Sequence, residues 1–156
     1  MLSRTMNDTT PLHQRYLPWM IALAVLFVLR VLAQAVQWAG PVPFLPPFDT
    51  WQGSGLPYPA LLASQVLIIA LLARALLVVR SQSIRPASWK HRACFVLGGA
   101  YFAAMAFRLM AGLTFLSDAE WFAEGLPAFF HLVLAAFVLL FGHYVYSAGR
   151  DAGGAA

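Results

Sequence analysis

Three arginines, Arg30, Arg74 and Arg108, stand inside long runs of apolar residues. Near the centre of a membrane helix each costs about 2.5–3.5 kcal/mol, so each needs a partner, a route to water or a task. Arg74 is six residues from Arg80 and can extend its stem to the headgroups. Arg30 and Arg108 have no such exit. Arg30 stands eight residues before Trp38 and Arg108 eight before Leu116, which at the helical rise puts each about 12 Å below an interface. Gln34 and Gln37 follow Arg30 on one helical face, Gln65 is eight residues into the next apolar run, and His131 is four past Pro127. A guanidinium fork matches phosphate or carboxylate bidentately, while amides and imidazole read neutral polar atoms. The candidate binding set is therefore Arg30, Gln34, Gln65, Arg108 and His131, and its chemistry is recognition of an anionic or polar head.

The elements that must position these residues follow from composition. The chain has 156 residues, 61% of them from the AVILMFWYC set and 10% charged, with a formal net charge of +4. Its mean hydropathy is +0.72, whereas a soluble domain carries about 45–50% apolar and about 25% charged residues. A soluble globule, a disordered tail and a nucleic-acid-binding domain are poor readings. Four stretches supply the roughly 20 apolar residues a membrane helix needs: Trp19–Trp38, Pro57–Val79, Cys94–Leu116 and Pro127–Tyr146. The expected fold is all-α, a polytopic four-transmembrane-helix bundle. Its N-terminal segment would be 1–18, its transmembrane domain 19–147 and its disordered C-terminal tail 148–156.

Basic residues set the threading. Arg4 and Arg15 precede the first span, Arg80, Arg85, Lys90 and Arg92 fill the second loop, and Arg150 follows the last span. The first and third loops contain no Lys or Arg, so both termini and the middle loop are expected in the cytoplasm of an inner (plasma) membrane. The charge excess is then a topology signal, with no nucleic-acid partner needed. Trp19, Trp38, Trp51, Trp89 and Trp121 all fall at span ends or in loops, as interfacial indoles do. Arg4, Arg15, the run Trp19–Leu29 and Ala33-Gln34-Ala35 also permit a signal peptide cleaved after Ala35. The long leader with Asp8, and the apolar run continuing to Trp38, favour an uncleaved anchor.

With that threading, the first and third spans run the same way and Arg30 and Arg108 share a depth in the outer half of the bundle. The first outer loop is expected to cap them: Pro46-Pro47-Phe48-Asp49-Thr50-Trp51 reads as a short interfacial turn of helix, and the chain enters the second span through Pro57-Tyr58-Pro59. Asp49, Trp51, Tyr58 and Glu124 form the expected cap, in a loop whose prolines favour rigidity over a moving lid. A plainer reading stands beside this one. Asp49, Asp118, Glu120 or Glu124 would neutralise the arginines, and the glutamines would act as interhelical glue. Gly98, Gly99, Ala100, Ala103, Ala104 and Ala106, with Ala135 and Gly142 on the last span, imply close helix packing.

Other chemistries find less support. Cys94 is the single cysteine, which excludes an internal disulfide, a CxxC pair and a thiolate zinc site. His131 and His143 lie about 18 Å apart along one helix and cannot share a haem; a His91–His143 pair at the inner side is the conceivable alternative. No metal-ligand cluster, G-x-S-x-G, P-loop or G-x-G-x-x-G occurs, and no residue stands out as a nucleophile. Arg30-x3-Gln34, Trp51-x-Gly53-Ser54-Gly55-Leu56-Pro57-Tyr58-Pro59, Ser64-Gln65 and Pro127-x-Phe129-Phe130-His131 resemble a group of small, uncharacterised bacterial four-helix integral membrane proteins. That resemblance implies a fold and a membrane, and no activity. The expectation is a non-enzymatic membrane protein with an outer-leaflet cationic pocket for a lipid headgroup, prenyl phosphate or quinone. No cofactor is expected, and the partners are membrane lipids, with a membrane-protein partner or a homo-oligomer also open. The alternatives are an accessory or assembly subunit of a larger complex and, third, a lipid-directed enzyme using His131 and Glu124.

Overall fold

The computed structural model describes residues 11–52, 55–83, 88–114 and 125–153. Regular structure in these residues is entirely helical: α1 (Leu12–Ala39), a 3-10 turn (Phe48–Trp51), α2 (Tyr58–Arg80), α3 (Ser88–Leu113) and α4 (Gly125–Gly153). All four helices are long and apolar enough to cross a membrane, so the chain is a multi-pass membrane protein by length and composition.

The helix ends follow local chemistry. Pro11 and Pro57 precede α1 and α2, and Pro59 occupies the first turn of α2, where a missing N–H costs nothing. Gly40 ends α1 in an extended conformation, and its N–H still donates to the Val36 carbonyl. The helices overrun the apolar stretches because intrahelical hydrogen bonding continues through polar flanks. α1 starts at Leu12 and α3 at Ser88, ahead of the expected Trp19 and Cys94. α4 runs on to Gly153, so residues 148–153, expected as disordered tail, are helical. Residues 154–156 lie outside the described residues.

α1 and α4 form the centre. They pack on each other, α2 lies on α1, and α3 makes its extensive contact with α4. Met20, Ala24, Phe27 and Val31 of α1 meet Leu72 and Val79 of α2 and Phe137 and Tyr144 of α4 in one core cluster. There α2 and α4 come close enough for the Tyr144 hydroxyl to donate to the Val79 carbonyl at 3.5 Å. Gly98 and Gly142 bring α3 onto α4, whereas Ala100, Ala103 and Ala104, expected in the same close packing, are exposed and Gly99 faces open space. A Cβ placed on Gly142 would lie 2.6 Å from Cys94 Cβ, and one on Gly98 would lie 3.1 Å from Val138 Cγ1. Large apolar side chains such as Leu67, Leu71 and Leu77 of α2, and Leu97, Phe107 and Met110 of α3, point outward. Lipid solvates such surfaces and water does not.

Candidate functional site

At the end nearer the 3-10 turn, α2 and α4 stand apart. A cleft of about 240 Å³ lies between them, with α1 behind it. Phe27 and Arg30 come from α1, Leu61, Ser64, Gln65 and Ile68 from α2, and Pro127, Phe130, His131 and Leu134 from α4. Leu56 stands at the approach to α2. The walls are mostly apolar, and the polar groups are Arg30, Ser64, Gln65 and His131.

The three arginines separate by environment. Arg74 is exposed on α2, in keeping with a side chain that reaches for headgroups. Arg30 and Arg108 are buried, at 8% and 3% exposure. Arg30 donates from Nη2 to the Trp51 carbonyl at 2.9 Å, and its Cζ lies 5.8 Å from the centre of the Phe130 ring. A charge-assisted hydrogen bond and a cation–π contact both stabilise a desolvated guanidinium. They leave Nε buried with no hydrogen-bond partner.

Gln34, fully buried, lies behind the cleft wall. Its Nε2 approaches the Trp51 carbonyl at 3.5 Å, and its Oε1 accepts from Gln65 Nε2 at 2.9 Å. Gln65 lines the cleft and keeps Oε1 buried and unpartnered. Gln37 takes a different role: its Oε1 accepts from the Val42 N–H at 2.9 Å and shapes the loop. His131 lines the α4 wall, with Nδ1 hydrogen-bonded to the Tyr101 hydroxyl at 2.6 Å. Arg108 is not among the residues lining the cleft. The two arginines thus do not form one clamp around it.

The chain matches no family model, and no curated protein or solved structure at a significant level.

The cap contains one strongly built element. Trp51, 6% exposed, sits in the 3-10 turn with its indole N–H bonded to the Pro46 carbonyl at 3.0 Å, while its own carbonyl turns inward to Arg30 and Gln34. It is therefore a buried plug, unlike the exposed Trp19, Trp38 and Trp89. Tyr58 is buried at the start of α2, its ring 5.1 Å from Trp38 and 5.2 Å from Phe48, and its hydroxyl has no hydrogen-bond partner. Asp49 is exposed on the turn. Glu124, expected at the cap, lies outside the described residues, as do Asp118 and Glu120. Among the described residues the carboxylates are Asp49 and Asp151, both exposed.

Ser64, Phe130, Tyr101 and the Trp51 carbonyl join the site without having been singled out for it. Ser64 and Phe130 adjoin Gln65 and His131 in sequence, and Tyr101 stands seven residues before Arg108, so spacing carried a signal for those three. Nothing in a sequence marks which backbone carbonyl will turn inward. At the opposite end of the bundle, His143 Nδ1 is hydrogen-bonded to the Tyr16 hydroxyl at 2.9 Å, and His91 packs edge-on to Tyr146. Among the described residues no three His, Cys, Asp or Glu side chains gather as a metal site would require.

Proposed function

We propose that the protein is a non-enzymatic protein of the inner (plasma) membrane that holds an anionic or quinone-like amphiphile in the cleft between α1, α2 and α4. Both termini lie in the cytoplasm and the cleft belongs to the outer leaflet, as the distribution of basic residues favours. The observation that carries this reading is Arg30. It is a buried guanidinium on a cleft wall, held by a carbonyl and an aromatic face and still left with an unpartnered N–H. Buried polar groups are ordinarily satisfied, and one that is not marks where another molecule belongs. The cleft is smaller than the roughly 300–1,000 Å³ that enclose a drug-sized ligand. That size suits a headgroup, with the tails lying outside along α2 and α4.

Native mass spectrometry of the protein, extracted gently from its own membrane, tests the reading. Extra mass should remain on the wild-type chain and disappear in Arg30→Gln, with the bundle still inserted. Arg108→Gln should weaken retention less, because Arg108 does not line the cleft. Unchanged retention in Arg30→Gln would refute the reading.

A second reading, an accessory subunit of a membrane complex, has one observation in its favour. α3 leaves Ala100, Ala103 and Ala104 exposed and open space around Gly99, a surface on which another helix can approach closely. A bare chain that travels with stoichiometric polypeptides in the same experiment would favour it.

A further inference from the structure

The hydrogen bonds at the back of the cleft run in one direction, and that direction selects the headgroup. The Trp51 carbonyl can only accept, so Gln34 turns its amide N–H groups toward it. The opposite setting would place two oxygens against each other. Gln34 Oε1 then faces Gln65 and accepts from Nε2. Gln65, 2% exposed, is left with Oε1 as an acceptor that nothing in the protein satisfies. One residue earlier, the Ser64 hydroxyl donates to the Leu61 carbonyl at 2.6 Å, so its oxygen also presents lone pairs. The α2 wall therefore offers acceptors, while Arg30 on the α1 wall offers donors and positive charge.

Resting on the reading of the cleft as an amphiphile site, we infer that it takes the phosphoglycerol headgroup of an anionic phospholipid. A phosphate oxygen meets Arg30, and the glycerol hydroxyls donate to Gln65 Oε1 and Ser64 Oγ. Oxidised quinone and carboxylate heads bring only acceptors to the α2 wall, where lone pairs would face lone pairs. An ammonium head would satisfy the acceptors but would stand beside the Arg30 guanidinium in a medium that screens charge weakly. A polyol phosphate has donors and an anion side by side, matching both walls.

The test compares two lipids of equal charge. The full-length protein is placed in nanodiscs containing equimolar phosphatidylglycerol and phosphatidylmethanol, which shares the phosphodiester and lacks the hydroxyls, and retained lipid is read by native mass spectrometry. Wild-type protein should retain phosphatidylglycerol about tenfold over phosphatidylmethanol, the size expected for hydrogen bonds gained in a buried site. Gln65→Met should abolish that preference while still retaining both lipids, and Arg30→Gln should retain neither. Equal retention of the two lipids by wild type, with both lost in Arg30→Gln, would overturn the hydroxyl assignment and leave the amphiphile cleft standing. Retention of neither lipid by wild type, or no effect of Arg30→Gln, would overturn both. Preferential displacement of both lipids by added ubiquinone would overturn the phosphoglycerol assignment in favour of a quinone head. The wild-type comparison stands even if Gln65→Met fails to fold.

Discussion

Gln34 ties the 3-10 turn to α2, because its single amide contacts both the Trp51 carbonyl and Gln65. Removing it strands the Gln65 amide N–H groups in a buried site, where an unsatisfied donor costs about 1–3 kcal/mol. Interhelical hydrogen bonds within membranes are worth less, about 0.6 kcal/mol on average, because the membrane-inserted unfolded state also finds partners. Gln34→Leu and Gln65→Leu should therefore each destabilise the bundle by about 1 kcal/mol. The double variant should cost less than the sum, with a coupling of about 0.5–1.5 kcal/mol in a double-mutant cycle. Unfolding in mixed micelles measures it, and strict additivity would mean that the two amides do not act as a pair. At this scale the site was half legible. Arg30, Gln65 and His131 stood out because a polar side chain in an apolar run must have a reason. The Trp51 carbonyl did not, since carbonyls are everywhere in such a chain. Arg108 is buried as expected but does not line this cleft, and counting could not show that: depth along a helix follows from counting residues, but the direction a side chain faces depends on which helices are neighbours.

Between elements, the closest approach is that of α3 and α4. Gly142 has no room for a methyl group against Cys94, whose Cβ lies near rigid backbone, whereas Gly99 faces open space. Gly142→Ala should push the helices apart and cost about 1–3 kcal/mol, as overpacking does. Gly99→Ala, on α3 and facing open space, should be neutral or slightly stabilising, because alanine favours a helix more than glycine does. Thermal or denaturant unfolding of the two variants side by side checks this. Equal destabilisation would contradict the packing of α3 on α4. The four helices themselves were plain in the sequence, since apolar length is nearly sufficient to define a membrane helix. Their ends were not: α4 outlasts its apolar run because backbone hydrogen bonds and alanines carry it into the segment after Tyr146. The neighbour relations were also hidden. Small residues announced close packing, but only the fold shows α1 and α4 at the centre and a gap between α2 and α4.

Along the described helices, a shared apolar core gives way to a cleft that holds polar groups. Where Met20, Leu72, Val79 and Tyr144 meet, α1, α2 and α4 close on a common core; beyond Phe27 and Ile68 they part around Arg30 and Gln65. A bundle built for stability alone has little reason to keep a buried guanidinium with an unpartnered N–H beside a cleft. The arrangement makes sense if a headgroup completes it. Photocrosslinking tests this most directly. A benzophenone side chain is introduced at Ile68 or Leu134 on the cleft walls, or at Leu67 on the outward face of α2, and the protein is irradiated after detergent exchange has stripped loosely bound lipid. Amphiphile adducts are predicted at Ile68 and Leu134, lost when Arg30→Gln is added, and absent at Leu67. Adducts equally abundant at all three positions, or indifferent to Arg30→Gln, would contradict a cleft that holds its ligand through Arg30.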